Sequence, residues 1–197
     1  MTDSTKNKFI SIAKYVCLIL LFLGIDLILR EYFHERAFIG IIIALLLLQI
    51  SKKIFYVYII PNIILLTLYL PNRLHSGIIS YNSVLSVKYT NGMESIEYLQ
   101  NIPLIFYIIT LLFFIVSIVI IRIDYKKMPK GITYVLLAFL VILGAKNIRN
   151  LTKYGFNEKT TSPFLSHSFY PSAAFAYKVH TFKEQIKENE DILNTES

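Results

Sequence analysis

Charge is scarce in this sequence, and reactive chemistry is scarcer. Only 17% of its 197 residues are Asp, Glu, Lys or Arg, where an average soluble domain carries about a quarter. The single cysteine, Cys17, lies inside an apolar run, so it forms no intramolecular disulfide and reads as a packing group. The four histidines (His34, His75, His167 and His180) are scattered, and none has a second His, Cys or carboxylate at ligand spacing on a shared helix. His75 and His167 fall in segments read below as external, where they make at most a weak pair. A phosphate-cradling glycine loop, a nucleophile elbow and a cysteine pair are all missing. These gaps exclude a complete catalytic site, and neither a metal nor another cofactor is expected.

What is abundant is apolar length. Hydrophobic residues make up 55% of the chain, and the mean hydropathy is +0.55. The excess sits in runs from Cys17 to Ile25, Ala37 to Gln49, Ile59 to Leu70, Leu104 to Ile121 and Ile132 to Ala145. A hydrocarbon core of ~30 Å requires about 20 apolar residues of a helix, and only helices satisfy their own backbone without water. The sequence therefore predicts an all-α membrane protein with about five transmembrane helices, at 9–29, 35–51, 54–71, 104–123 and 131–147. Residues 1–147 form the membrane domain, with a loop over 72–103, and 148–197 form a tail. The first run ends in Asp26 and Arg30 without a small-residue cleavage site, so it reads as a retained signal anchor.

The formal net charge of +7 would suit nucleic acid, but the placement of the basic residues argues for membrane topology and no nucleic-acid partner is expected. With the N-terminus cytoplasmic, nine basic residues lie inside (Lys6, Lys8, Lys14, Lys52, Lys53, Arg122, Lys126, Lys127, Lys130). Four lie in outer loops, and Lys146, Arg149 and Lys153 count against this orientation. The positive-inside bias then puts the 72–103 loop and the tail together on the outer side.

Three features inside the spans have structural readings. Asp26 and Arg30, at i,i+4, suit an interfacial ion pair whose ends snorkel to water. Pro61 removes a backbone donor and predicts a kink, with Asn62 bonded to a freed carbonyl. Gly40 and Ala44 form a small-xxx-small pair for close helix packing. In the loop, Pro71-Asn72-Arg73 opens the connection, Ile78 to Tyr89 reads as a short helix, and Asn91 stands to Glu94 as N-cap to N3. In the tail, a polar connection from Asn150 to Ser168 precedes Tyr170-Pro171-Ser172. Phe175, Val179, Phe182 and Ile186 then mark the apolar stripe of an amphipathic juxtamembrane helix at about 172–193, which is expected to lie on the membrane or on a partner.

Five spans with a long loop between the third and fourth resemble the membrane domain of the bacterial phosphoethanolamine transferases, inner-membrane enzymes that decorate lipid A and the lipopolysaccharide core. The stretch from Ser83 to Leu99, centred on Thr90-Asn91-Gly92-Met93-Glu94, is similar to the family's Thr-Asn or Thr-Asp pair followed by Glu. Phe169-Tyr170-Pro171 and the helix after it resemble its bridging helices. The resemblance implies a bacterial inner-membrane protein with cytoplasmic N-terminus and periplasmic C-terminus. It implies that Glu94, with Asn91, Thr90 and Ser86, holds the headgroup of a donor lipid such as phosphatidylethanolamine. Ser86 stands where the family often has asparagine. Family members continue into an alkaline-phosphatase-like domain that supplies the nucleophile and zinc ligands. This sequence stops at Ser197, so a stand-alone or truncated membrane anchor without activity of its own is expected, with a separately encoded catalytic domain as candidate partner. A non-catalytic interaction module using the 172–193 helix as its docking face is the alternative. A small transporter fits less well, since no span carries a run of ionisable groups.

Cysteines placed at Asn91 and at Glu188 in a Cys17→Ser background should label from the same side of sealed membranes. Opposite labelling would remove the odd span count on which the resemblance depends.

Overall fold

In the computed structural model, residues 3–30, 36–154 and 170–195 are described, and no strand occurs among them. The helices are α1 (Asp3–Arg30), α2 (Arg36–Ile50), α3 (Lys52–Ser76), α4 (Tyr81–Tyr89), α5 (Gly92–Asn101), α6 (Leu104–Arg122), α7 (Lys130–Tyr154) and α8 (Pro171–Thr195). Among the described residues three segments are long and apolar enough to cross a membrane: Phe9–Leu29, Lys52–Ser76 and Leu104–Arg122. Phe38–Ile50 and Lys130–Ile142 are shorter apolar helices. The architecture is that of an all-α membrane protein, with three full-length spans and two short apolar helices in place of five equal ones.

The packing is ordered by helical stripes. On α1 the buried stripe includes Leu18, Phe22, Ile25 and Leu29, at spacings of four, three and four; on α3 it includes Phe55, Ile59, Ile63, Leu66 and Leu70. The Phe22 ring lies 6.5 Å from that of Phe55 and 6.2 Å from that of Tyr58, in edge-on and tilted contacts. Gly40 and Ala44 are buried as the small pair predicts, and the Tyr58 hydroxyl reaches the Gly40 carbonyl at 3.3 Å across the α2–α3 contact.

α6 shows which solvent the bundle is built for. Its buried side chains are Thr110, Ser117 and Ile121, while Leu104, Ile105, Ile108, Leu111, Leu112, Ile115 and Val119 are exposed. The two hydroxyls donate to the carbonyls one turn back, Phe106 O at 2.8 Å and Phe113 O at 2.7 Å. Small polar residues between helices and large apolar ones outside are the arrangement lipid favours, because tails as apolar as leucine give no hydrophobic reason to bury leucine.

α3 departs from expectation at its C-terminal end. Pro71 does not open a loop; the helix runs through both Pro61 and Pro71 to Ser76. It stops at Gly77, whose φ of +81° is the left-handed conformation that glycine adopts without strain, and whose N–H donates to Arg73 O at 3.1 Å. At 1.5 Å per residue its 25 residues span about 37 Å, so its last turns project beyond a hydrocarbon core. α7 likewise continues to Tyr154, through the start of the polar connection expected from Asn150. The rest of that connection, with Pro163 and His167, lies outside the described residues, as do Phe169 and His34.

The connections sort to two ends. At one, the Lys52 ammonium pairs with the Asp124 carboxylate, Lys14 Nζ reaches Asp124 O at 3.2 Å, and Gln49 accepts from the Met128 N–H at 2.8 Å. The Tyr15 and Tyr125 rings sit 5.3 Å apart beneath them. At the other end lie α4, α5 and the C-terminal half of α8.

α8 is placed differently from its expected position on the membrane surface. It begins within the bundle, beside the middle of α3. Asn62, with no exposed surface, accepts from the Ser172 N–H at 3.0 Å and the Ser172 hydroxyl at 2.7 Å, while its own Nδ2 donates to Tyr58 O at 2.9 Å. The carbonyl freed by Pro61 is that of Val57, so the Asn62 amide does not fill that position but adds a second donor to the carbonyl one helical turn back from itself. Tyr170 stacks edge-on against Tyr58 at 5.1 Å, and Phe175 against Tyr69 at 4.7 Å. The stripe expected from the sequence is on the inner face: Ile186 is fully buried and Phe175, Val179 and Phe182 are half-buried. It is covered by the chain's own α1, α3 and α4. Asp26 is likewise 3% exposed between Ile25 and Leu29, which places its carboxyl inside the protein; the side chain of Arg30 lies outside the described residues.

Asn62→Leu keeps the branched shape, at a larger volume, but leaves the Ser172 N–H and hydroxyl without acceptors, and should cost about 1–3 kcal/mol. Ser172→Ala removes one donor and should cost about 0.5–1.5 kcal/mol. Unfolding of both variants in detergent micelles checks the order, and a smaller loss for Asn62→Leu would contradict this seating of α8.

Candidate functional site

The residues singled out in the loop fall at the junction of α4 and α5. Ser80 caps α4, accepting from Ser83 N at 3.2 Å, and α4 ends where the Thr90 N–H donates to Ser86 O at 2.9 Å. Asn91 then caps α5: its Oδ1 accepts from Glu94 N at 2.9 Å, and its Nδ2 donates to Glu94 Oε1 at 3.0 Å. This is the expected N-cap, closed in a different way. In a capping box the N3 carboxylate reaches back to the cap's backbone N–H; here it is held by the cap's side-chain amide.

The hydroxyls of the set are committed in one direction. Ser86 Oγ donates to Asn82 O at 2.9 Å, and Thr90 Oγ1 donates to Ser86 O at 2.5 Å. Each hydroxyl has one proton, so both present only lone pairs outward, and the exposed Glu94 carboxylate does the same. These three side chains therefore offer acceptors to a donor such as a primary ammonium, while the second N–H of the Asn91 amide and the first-turn backbone N–H groups of α5 are donors at the same corner. Among the described residues, the Asn91–Glu94 bond is the one side-chain contact within this set of four.

α4 is held from above by α8. The Lys88 ammonium and the Tyr89 hydroxyl both bond the Glu190 carboxylate, and Asn189 Nδ2 donates to the Tyr81 hydroxyl at 2.9 Å. Lys88, and after it the Tyr89 hydroxyl, holds the Glu190 carboxyl below the usual carboxylate range; the same hydrogen bond raises Lys88 and Tyr89 above theirs. Sequence reasoning misses this clasp, since Glu190 sits in an acidic run (Glu188, Asn189, Glu190, Asp191) with nothing to single it out.

α5 is tied to the end of α3. The Tyr98 hydroxyl bonds both Asn72 Oδ1 and the Ser76 hydroxyl, and its ring lies 6.0 Å from that of His75. His75 also faces Phe106 at 6.5 Å. The weak external histidine is thus an aromatic spacer, and its proposed companion, His167, lies outside the described residues. Among the described residues no three His, Cys, Asp or Glu side chains converge as metal ligands.

Comparison of the chain with family models, with curated proteins and with solved structures finds no match.

The depressed pKa of Glu190 fixes the sign of a pH effect. Its contribution to the clasp is present above the ordinary carboxylate pKa and is lost as pH falls through the depressed value. Spin labels on α4 and the last turns of α8 should keep a narrow distance distribution at neutral pH and broaden only once the pH falls below the ordinary carboxylate range. Glu190→Gln should give the broad distribution already at neutral pH; a narrow one would show the clasp to be incidental.

Proposed function

We propose that this chain is the membrane-anchor domain of a phosphoethanolamine-transferase-like system of the bacterial inner membrane, and that its outer ledge receives the ammonium of an ethanolamine lipid. The observation that carries the reading is the acceptor-only chemistry of Ser86, Thr90 and Glu94 at the α4–α5 junction. An ethanolamine headgroup brings three N–H donors and a positive charge. The ledge offers two hydroxyl oxygens and a carboxylate, and α5 leads from it to the start of a segment long and apolar enough to cross a membrane.

The orientation that goes with this reading places the lysine-rich end, where Lys14, Lys52 and Asp124 meet, in the cytoplasm and the ledge in the periplasm. Two features support the functional reading, whichever way the chain is oriented. The turn and the C-terminal half of the tail meet directly through Lys88 and Glu190. In addition, the apolar stripe of α8 is covered within the chain, which leaves the alternative of an unrelated docking partner without its docking face. In this reading the protein binds lipid and positions it, and a catalytic domain supplies the phosphoryl chemistry.

Glu94→Gln should weaken phosphatidylethanolamine binding by about two- to five-fold, the range for a charge pair at an exposed site. Native mass spectrometry of the purified protein, titrated with phosphatidylethanolamine and with phosphatidylglycerol, checks this. Unchanged affinity for the ethanolamine lipid, or equal affinity for both lipids in the parent protein, would leave Glu94 with its capping role only.

A further inference from the structure

α5 is a helix without an inner side. All ten of its residues are exposed, its apolar members included: Met93 at 76%, Ile96 at 57% and Leu99 at 54%. At 3.6 residues per turn these three share one face about 120° wide, with Gln100 at its edge of the last turn. Glu94, Glu97 and Asn101 occupy the flank and back of the helix.

The roll of the helix is not arbitrary. Tyr98 projects almost opposite the centre of the apolar face, and it is Tyr98 that Asn72, Ser76 and His75 hold against the end of α3. Fixing that side toward the bundle turns Met93, Ile96 and Leu99 outward. The height is fixed as well. The Tyr107 hydroxyl, one turn into α6, donates to Leu99 O at 2.8 Å. Tyr107 lies only about 4.5 Å along α6 from its first residue, so the C-terminal end of α5 stays at the mouth of the span. The outward apolar face is therefore continuous with Leu104, Ile105 and Ile108, the exposed apolar surface of a membrane-crossing helix.

We propose that α5 is a membrane-surface helix, lying in the outer interface with Met93, Ile96 and Leu99 inserted among acyl chains and its acidic flank in the headgroup layer. The occupant of the apolar face is the bilayer itself. Continuity with the lipid-facing side of α6 decides this, since a protein partner there would have to displace lipid from both helices. An interfacial helix sinks its apolar face about 5–10 Å into the boundary, a depth that the tether at Tyr107 allows. The seating does not rest on headgroup binding by Glu94. Failure of Glu94→Gln to weaken lipid binding would leave it standing.

The chain contains no tryptophan, so an introduced one reports alone. Single variants Met93→Trp, Ile96→Trp, Glu97→Trp and Asn101→Trp are reconstituted in vesicles of bis-brominated phosphatidylcholine, with native-like circular dichroism as entry condition. Tryptophans at 93 and 96 should emit at shorter wavelength, lose at least half of their intensity to the brominated lipid and resist acrylamide. Those at 97 and 101 should show the opposite ranking. Equal quenching at all four positions, or acrylamide access at 93 and 96, would overturn the proposal. So would protection from both quenchers that disappears on dilution of protein in lipid, which would indicate a second copy of the chain on this face.

Discussion

The amide of Asn62 is the interaction from which the rest of the arrangement follows. Buried at the middle of α3, it cannot be left to lipid, where an unsatisfied polar group costs several kcal/mol. Its nitrogen is satisfied by the helix's own Tyr58 carbonyl, and its oxygen by the first turn of α8. The exposed N–H groups of that turn need acceptors for the same reason. Two local deficits thereby cancel, and the tail is drawn into the bundle instead of lying across its end. Once Ser172 is seated there, the aromatic pairs Tyr58–Tyr170 and Tyr69–Phe175 set the direction in which α8 climbs.

That direction carries α8 past the end of α3 and onto α4, and the outer end is assembled from it. α3 contributes Asn72, His75 and Ser76 because it runs through Pro71. Those residues hold Tyr98 of α5, while α8 holds Tyr81, Lys88 and Tyr89 of α4. The two short helices are thus suspended between the longest span and the tail, and the acceptor ledge sits at the point where they join.

Much of this was legible in the sequence where the cause is local. The apolar runs, the Gly40–Ala44 packing pair, the Asn91–Glu94 cap and the stripe of α8 are all set by residues within a turn or two of each other, and each is found where the pattern put it. What the sequence could not show is what those elements touch. The stripe of α8 reads the same whether a membrane or α1 covers it, and the Asn62–Ser172 contact joins residues 110 positions apart. Pro71 misled for a related reason: a proline breaks an isolated helix, but the surrounding bundle holds this one in register. For Asp26 the i,i+4 spacing to Arg30 said nothing of how deeply that helix face is buried. At the ledge, the residues were visible and their polarity was not. Only the structure shows that the Ser86 and Thr90 hydroxyls give their protons to the carbonyls of Asn82 and Ser86 and turn lone pairs outward.

The clasp at Glu190 has a mechanical consequence. It closes a ring of chain from Lys88 to Glu190, with the fourth and fifth apolar helices inside it. A pull on the end of α8 is therefore not dissipated along a loose tether. It travels through Glu190 into α4 and, one residue past its last turn, into the Thr90–Asn91 corner. Force and geometry at the C-terminal end and at the ledge are one degree of freedom for as long as that carboxylate keeps its charge.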